Sequence, residues 1–136
     1  MLVAAALIVA ASLSAAPTPA LASSRARVES SFRRFCSQWM HKLELREKRN
    51  AARMKYVRKG LAVVGEYSGY GRKPSSCQVQ ATGVAEAPYI GKLTYRENVY
   101  RKSGRSRGTA RRSNPKILQS TEVLEIFRYN GRSWVY

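Results

Sequence analysis

The sequence predicts an α+β fold in which an N-terminal amphipathic helix packs on a curled antiparallel sheet of four to five strands. Apolar residues recur at three- and four-residue spacing after Ser31, which is the pattern of an amphipathic helix. Beyond Gly60 the composition shifts to Tyr, Val, Thr and Gly, as in strands, and Asn130-Gly131 indicates a hairpin. A helix followed only by antiparallel strands buries its apolar side most simply across one face of their sheet.

Residues 1–22 are typical of a cleavable secretion signal. An apolar run at residues 2–13 leads into small residues and prolines, and Ala20 and Ala22 suit a cut between Ala22 and Ser23. The alternative is an uncleaved membrane anchor, but the run is shorter than the roughly 20 apolar residues that span a bilayer. We therefore expect residues 23–136 to form a single domain that is secreted or periplasmic.

The helix is the first element of this domain. Ser30 and Ser31 are suitable N-caps, and the apolar stripe that follows consists of Phe32, Phe35, Cys36, Trp39, Met40 and Leu43. Polar residues 46–50 interrupt the stripe, which then resumes with Ala51, Met54, Val57 and Leu61. We expect either one long helix or a break near Asn50, with Gly60 ending the helix in both cases.

Strands occupy the rest of the chain. Turn residues separate segments that are rich in β-branched and aromatic side chains. The predicted strands are Ala62–Tyr70, residues 77–82, residues 89–102, Lys116–Tyr129 and residues 132–136.

A basic segment, residues 101–116, connects the two longest strands and is predicted to be a mobile, solvated loop. Arginine side chains pair with phosphates and carboxylates in a bidentate geometry, so this loop is a candidate anion-binding site. Its basic residues are Arg101, Lys102, Arg105, Arg107, Arg111, Arg112 and Lys116. The alternative is an unstructured turn without a ligand. A second basic group is expected to be ordinary solvated helix surface: Arg46, Lys48, Arg49, Arg53, Lys55, Arg58 and Lys59.

The formal net charge of +17 favours polyanionic partners. We expect an anionic surface or polymer, such as lipid headgroups or an envelope polysaccharide, or an acidic protein, with nucleic acid as a less favoured partner. The chain contains no Asp and a single His, so the sequence predicts no metal site, no cofactor and no catalytic residue.

The two cysteines, Cys36 and Cys77, are expected to form a disulfide in an oxidising compartment. It would close a loop of about 40 residues and contribute about 3–4 kcal/mol to stability. A thiol nucleophile at Cys36 with His41 as its base is disfavoured, because this spacing separates them on a helix. Among the glutamates, strand alternation places Glu97 on the face of Leu93, Tyr95 and Val99, although pairing with an arginine across the sheet is the simpler role.

The chain ends in residues 125–136 (EIFRYNGRSWVY). With this ending, the order of a helix followed by long antiparallel strands resembles the cystatin-like superfold, which includes nuclear transport factor two-like domains. Many of those domains close on a similar strand, an Asn-Gly turn and a Trp, and the resemblance covers the layout of residues 31–136. Cystatin-type inhibitors share a Gln-x-Val-x-Gly hairpin, from which residues 78–83 (QVQATG) depart, so protease inhibition is disfavoured. Enzymes of the superfold generally place Asp, His or Tyr beneath the helix, so the missing Asp disfavours catalysis as well.

The leading functional hypothesis is an exported, non-enzymatic binding domain that engages an anionic envelope component or partner through its basic surface. The alternative is a small-ligand pocket protein, or a weak enzyme, of the cone-shaped α+β type. A hollow lined by Glu97 and Tyr95 beneath the helix would favour that alternative.

Overall fold

The computed structural model describes residues 19–136, with side chains from Ser24 onward, so most of the predicted signal lies outside the described residues. The elements in chain order are α1 (Pro19–Ala52), β1 (Tyr56–Lys59), β2 (Ala62–Tyr70), β3 (Ser76–Ala81), β4 (Tyr89–Gly104), α2 (Arg107–Arg112), β5 (Lys116–Tyr129) and β6 (Trp134–Val135). The predicted α+β class, with a helix packed on a curled antiparallel sheet, is confirmed.

Helix α1 runs unbroken through Asn50 and ends at Ala52, before Gly60. Its buried side repeats mostly every fourth residue and consists of Val28, Phe32, Cys36, Met40, Leu43 and Glu47. The predicted caps are inside this helix, and the Ser31 hydroxyl accepts a hydrogen bond from Trp134 Nε1 at 3.0 Å. No helix in residues 19–136 is both long and apolar enough to span a bilayer.

The sheet has the strand order β1-β2-β4-β5-β6, and β3 pairs with the first part of β4 beside β2. It contains six strands, one more than the largest number predicted, because Tyr56–Lys59 forms β1 where a continued helix was expected. Gly60, with φ of +60°, makes the tight turn from β1 to β2 and does not end the helix.

The final hairpin differs from the predicted two-residue turn. Tyr129 pairs with Trp134, so residues 130–133 form the connection. The Asn130 side-chain oxygen accepts hydrogen bonds from the backbone N–H groups of Arg132 and Ser133, which stabilises the longer turn.

The space between α1 and the centre of the sheet is filled. The ring of Phe32 is fully buried and lies so close to β4 that a Cβ atom at Gly91 would be 2.2 Å from it. Phe32 also contacts Trp134, at 4.4 Å between ring centroids, and Leu93 and Phe127 complete this layer. The packing gives the hollow-pocket alternative no support.

The predicted disulfide is confirmed. Cys36 of α1 is bonded to Cys77 of β3, with 6.5 Å between their Cα atoms. The bond fastens the middle of the helix to a short strand that has β4 as its only partner among the described strands.

The buried positions of β4 change phase along the strand. Gly91, Leu93 and Tyr95 follow the predicted alternation, but the next buried residue is Asn98, and Glu97 is only partly buried. The change occurs where β4 leaves β3 and begins to pair with β2. Glu97 was expected on the same face as Leu93 and Tyr95, but unlike them it is not buried.

Candidate anion-binding surface

The basic segment between β4 and β5 is an ordered helical turn, so the predicted mobile loop is wrong. Ser106 caps α2: its hydroxyl accepts from Thr109 N at 3.2 Å, and its own N–H donates to the Thr109 hydroxyl at 2.9 Å. Ala110 is fully buried, and α2 packs against β4 and β2. Gly104 permits this contact, because a Cβ atom there would lie 2.4 Å from Ala110 N.

Three of the seven predicted cations lie around one cleft of about 490 Å³, lined by Ala51, Ala52, Met54, Tyr56, Tyr67, Lys102, Arg107 and Arg111. Lys102 Nζ donates to the carbonyl of Arg111 at 2.6 Å, and the Arg107 guanidinium lies 5.9 Å from the centre of the Tyr56 ring. Because α2 is docked on β4 and β2, the backbone positions that carry Arg107 and Arg111 are fixed beside Lys102.

The other predicted cations do not line this cleft. Arg101 is in register with Glu66 of β2 and Lys116 of β5, and its Nε donates to Glu66 at 2.8 Å. That hydrogen bond lowers the pKa of Glu66. Strand alternation places Arg101 on the opposite face from Lys102. Arg105 and Arg112 are exposed.

The second basic group contributes to the same end of the molecule. Arg53, Lys55 and Lys59 line a neighbouring cleft of about 570 Å³, which shares Met54 and Tyr67 with the first. These cations were expected on a solvated helix face, but α1 stops at Ala52, so Lys55 precedes β1 and Lys59 ends it. The two clefts meet at Met54 and Tyr67, and together they are named the basic end, defined by Arg53, Lys55, Lys59, Lys102, Arg107 and Arg111. Register and alternation place Lys59 on the sheet face opposite Lys102, so the basic end wraps around the β1 edge of the sheet.

The electrostatics of the basic end suit an anion. Glu66 is the one acid that lines either cleft, and Arg101 already pairs with it. Burial, followed by the charge of Glu47, raises the pKa of Tyr67. The ring of Tyr67 is stacked on Tyr100 at 5.3 Å. The described residues that line the cleft holding Lys102 include no carboxylate and no imidazole.

Another cleft, of about 540 Å³, lies beside the disulfide and contains His41 together with Arg33, Glu44, Arg72 and Lys73. His41 is exposed, and its Nδ1 lies 3.7 Å from Glu44. Since Cys36 is bonded to Cys77, Cys36 and His41 do not form a thiol–imidazole pair. No group of three or more possible metal ligands occurs among residues 19–136.

Glu125 of β5 has a structural role that the sequence did not indicate. It accepts hydrogen bonds from the hydroxyls of Tyr95, at 3.1 Å, and Tyr136, at 2.9 Å. Burial and this bond raise the pKa of Tyr95. Glu125 therefore acts in packing the sheet, a role that depends on a cross-strand neighbour and has no local sequence signal.

No protein-family model matches the chain, and no curated protein or solved structure is similar to it at a significant level.

Proposed function

We propose that the protein is an exported, non-enzymatic binding domain that holds an anionic component of the cell envelope, a lipid headgroup or an anionic polysaccharide, on its basic end. The observation that carries the proposal is that two neighbouring clefts, which share Met54 and Tyr67, are lined by six cations: Lys102, Arg107 and Arg111 in one, and Arg53, Lys55 and Lys59 in the other. We also propose, from the order of elements, that the fold is related to the cystatin-like and nuclear transport factor two-like domains.

Clustering supports binding because closely spaced like charges raise the local potential and concentrate anions. Guanidinium groups add directional, bidentate pairing with phosphate, sulfate or carboxylate oxygens. The proposed export from the cytosol is supported by the signal-like residues 1–22 and by the disulfide, which is typical of oxidising compartments.

The test compares binding of the oxidised protein to vesicles with and without an anionic phospholipid. The variant Lys102→Gln/Arg107→Gln/Arg111→Gln removes three charges from the basic end. Juxtamembrane cations contribute roughly 1 kcal/mol each, so we expect affinity for anionic vesicles to fall about 100-fold.

The matched control, Arg27→Gln/Arg34→Gln/Arg132→Gln, removes three exposed charges elsewhere. We expect it to weaken binding by only about 5-fold, through the loss of long-range attraction. Equal losses in the two variants would show that net charge alone attracts the vesicles. Tighter binding to single-stranded DNA than to the vesicles or to an anionic polysaccharide, at physiological salt, would contradict the envelope assignment.

A further inference from the structure

One outer edge of the sheet is covered over most of its length. β1 pairs with residues 62–65 of β2. Further along the same strand, side chains of α1 take over: Asn50 Nδ2 donates to Ser68 O at 2.9 Å, and the Tyr70 N–H donates to Glu47 at 2.8 Å. These helix side chains satisfy backbone groups that a neighbouring strand would otherwise bind.

The opposite edge is open. β5 pairs with β4 on one side, but on its other side β6 reaches only Arg128 and Tyr129. From Lys116 to Phe127, no strand among residues 19–136 pairs with the outer side of β5. An unpaired edge of this length offers a row of N–H and C=O groups to another strand.

The chemistry of this edge differs from that of the rest of the chain. Residues 117–127 contain two of the eight glutamates, Glu122 and Glu125, and no Lys or Arg, although the whole chain carries 25 basic residues. Leu124 is 55% and Ile126 48% exposed. Proteins commonly protect such edges with lysine, proline or a bulge. Here the register shifts opposite Val99 and Tyr100 and leaves Leu118 out of the ladder, so the regular open edge begins at Gln119.

We propose that this edge is a homodimer interface, in which β5 strands of two copies pair antiparallel about a two-fold axis near Val123. Two identical antiparallel edges are self-complementary, because the two-fold axis makes every pairing reciprocal: residue i of one copy lies opposite residue j of the other, and j lies opposite i. The two sheets then become one. With the axis at Val123, the two Leu124 side chains lie diagonally across the axis from each other, and Ile126 lies opposite Ser120 of the other copy.

Charge selects a second copy over another partner. Two chains of +17 repel, and an edge without cations between Leu118 and Phe127 brings them together at low electrostatic cost. Lys116 and Arg128 then lie toward the ends of the shared ladder. With the axis at Val123, Glu122 lies opposite Leu124 and Glu125 opposite Thr121 of the other copy, so no two carboxylates face each other directly. An acidic partner, which the net charge would otherwise favour, would bring further carboxylates to Glu122 and Glu125.

Sedimentation velocity of the oxidised protein at micromolar concentrations tests the proposal. We expect a dimer that tightens as NaCl rises from about 0.05 to 0.5 M, because salt screens repulsion between the copies. The variant Ser120→Lys/Leu124→Lys, at exposed edge positions, should raise the dimer Kd about 10-fold or more. Leu61→Lys, at a turn residue that is 94% exposed, is the control and should leave the Kd within about 2-fold.

Hydrogen exchange locates the interface. Amides in residues 119–127 should exchange more slowly as protein concentration rises, and this protection should disappear in the double lysine variant. A monomer at every concentration and salt, a dimer unaffected by the lysines, or one that weakens with salt would overturn the proposal.

Discussion

At the scale of single residues, Glu47 shows how a polar side chain can continue a buried stripe. It lies in the stretch that interrupts the apolar pattern of α1, yet it follows Leu43 by four residues and is only 8% exposed. Its carboxylate accepts hydrogen bonds from Tyr70 N at 2.8 Å and Arg72 Nη2 at 3.2 Å. Gly69 gives it room, because a Cβ atom there would lie 2.7 Å from the Glu47 carboxyl carbon.

Removing this carboxylate should destabilise the protein. Glu47→Ala leaves the buried Tyr70 N–H without an acceptor, so we expect the free energy of unfolding to fall by about 1–3 kcal/mol in urea titrations. Glu47→Gln keeps a side-chain oxygen and should lose less. Glu44→Ala, which removes an exposed partner of Lys48, is the control and should change stability little. A loss for Glu44→Ala as large as that for Glu47→Ala would mean that burial of Glu47 is not the cause.

At the scale of secondary-structure elements, the sequence patterns did not predict strand β1 and helix α2. Met54, Val57 and Leu61 continue a helical spacing, yet β1 forms there because the turn at Gly60 lets it pair with β2. Helix α2 was missed because its capping box uses Thr109 where Glu or Gln is usual, and because its docking residue is a single buried alanine.

The disulfide was predicted, and its contribution to stability can be measured. Cys36→Ala/Cys77→Ala removes a link across 41 residues of sequence, and we expect a loss of about 3–4 kcal/mol from the greater freedom of the unfolded chain. Urea unfolding without reductant measures it. Adding reductant should weaken the wild type to a similar degree and leave the double variant unchanged, whereas a wild type indifferent to reductant would contradict the expected role.

At the scale of the whole molecule, folding gathers basic residues that are far apart in sequence. Arg53 and Lys55 meet Lys102, Arg107 and Arg111 around Met54 and Tyr67. No local pattern indicates this meeting, because it depends on where α1 ends and on how α2 docks. Three of the seven predicted anion-binding residues therefore share a cleft, and the role of all seven stays a prediction.

Crowded positive charge opposes folding, so salt should stabilise the protein. If screening recovers roughly 1 kcal/mol, the thermal midpoint should rise by about 3–5 °C between 0.05 and 0.5 M NaCl. Circular dichroism at a concentration where only monomer is present measures this shift. The Lys102→Gln/Arg107→Gln/Arg111→Gln variant should show a smaller rise, and a midpoint that falls with salt would contradict the explanation.

The sequence by itself determined the α+β class, the strands Ala62–Tyr70 and Lys116–Tyr129, and the pairing of Cys36 with Cys77. Periodicity and turn residues act over a few neighbours, and two cysteines leave one intramolecular pairing. Only the tertiary structure decided which cations share a surface and which strand edge stays open. Those properties depend on strand order, register and helix docking, which are set by contacts between residues distant in the chain.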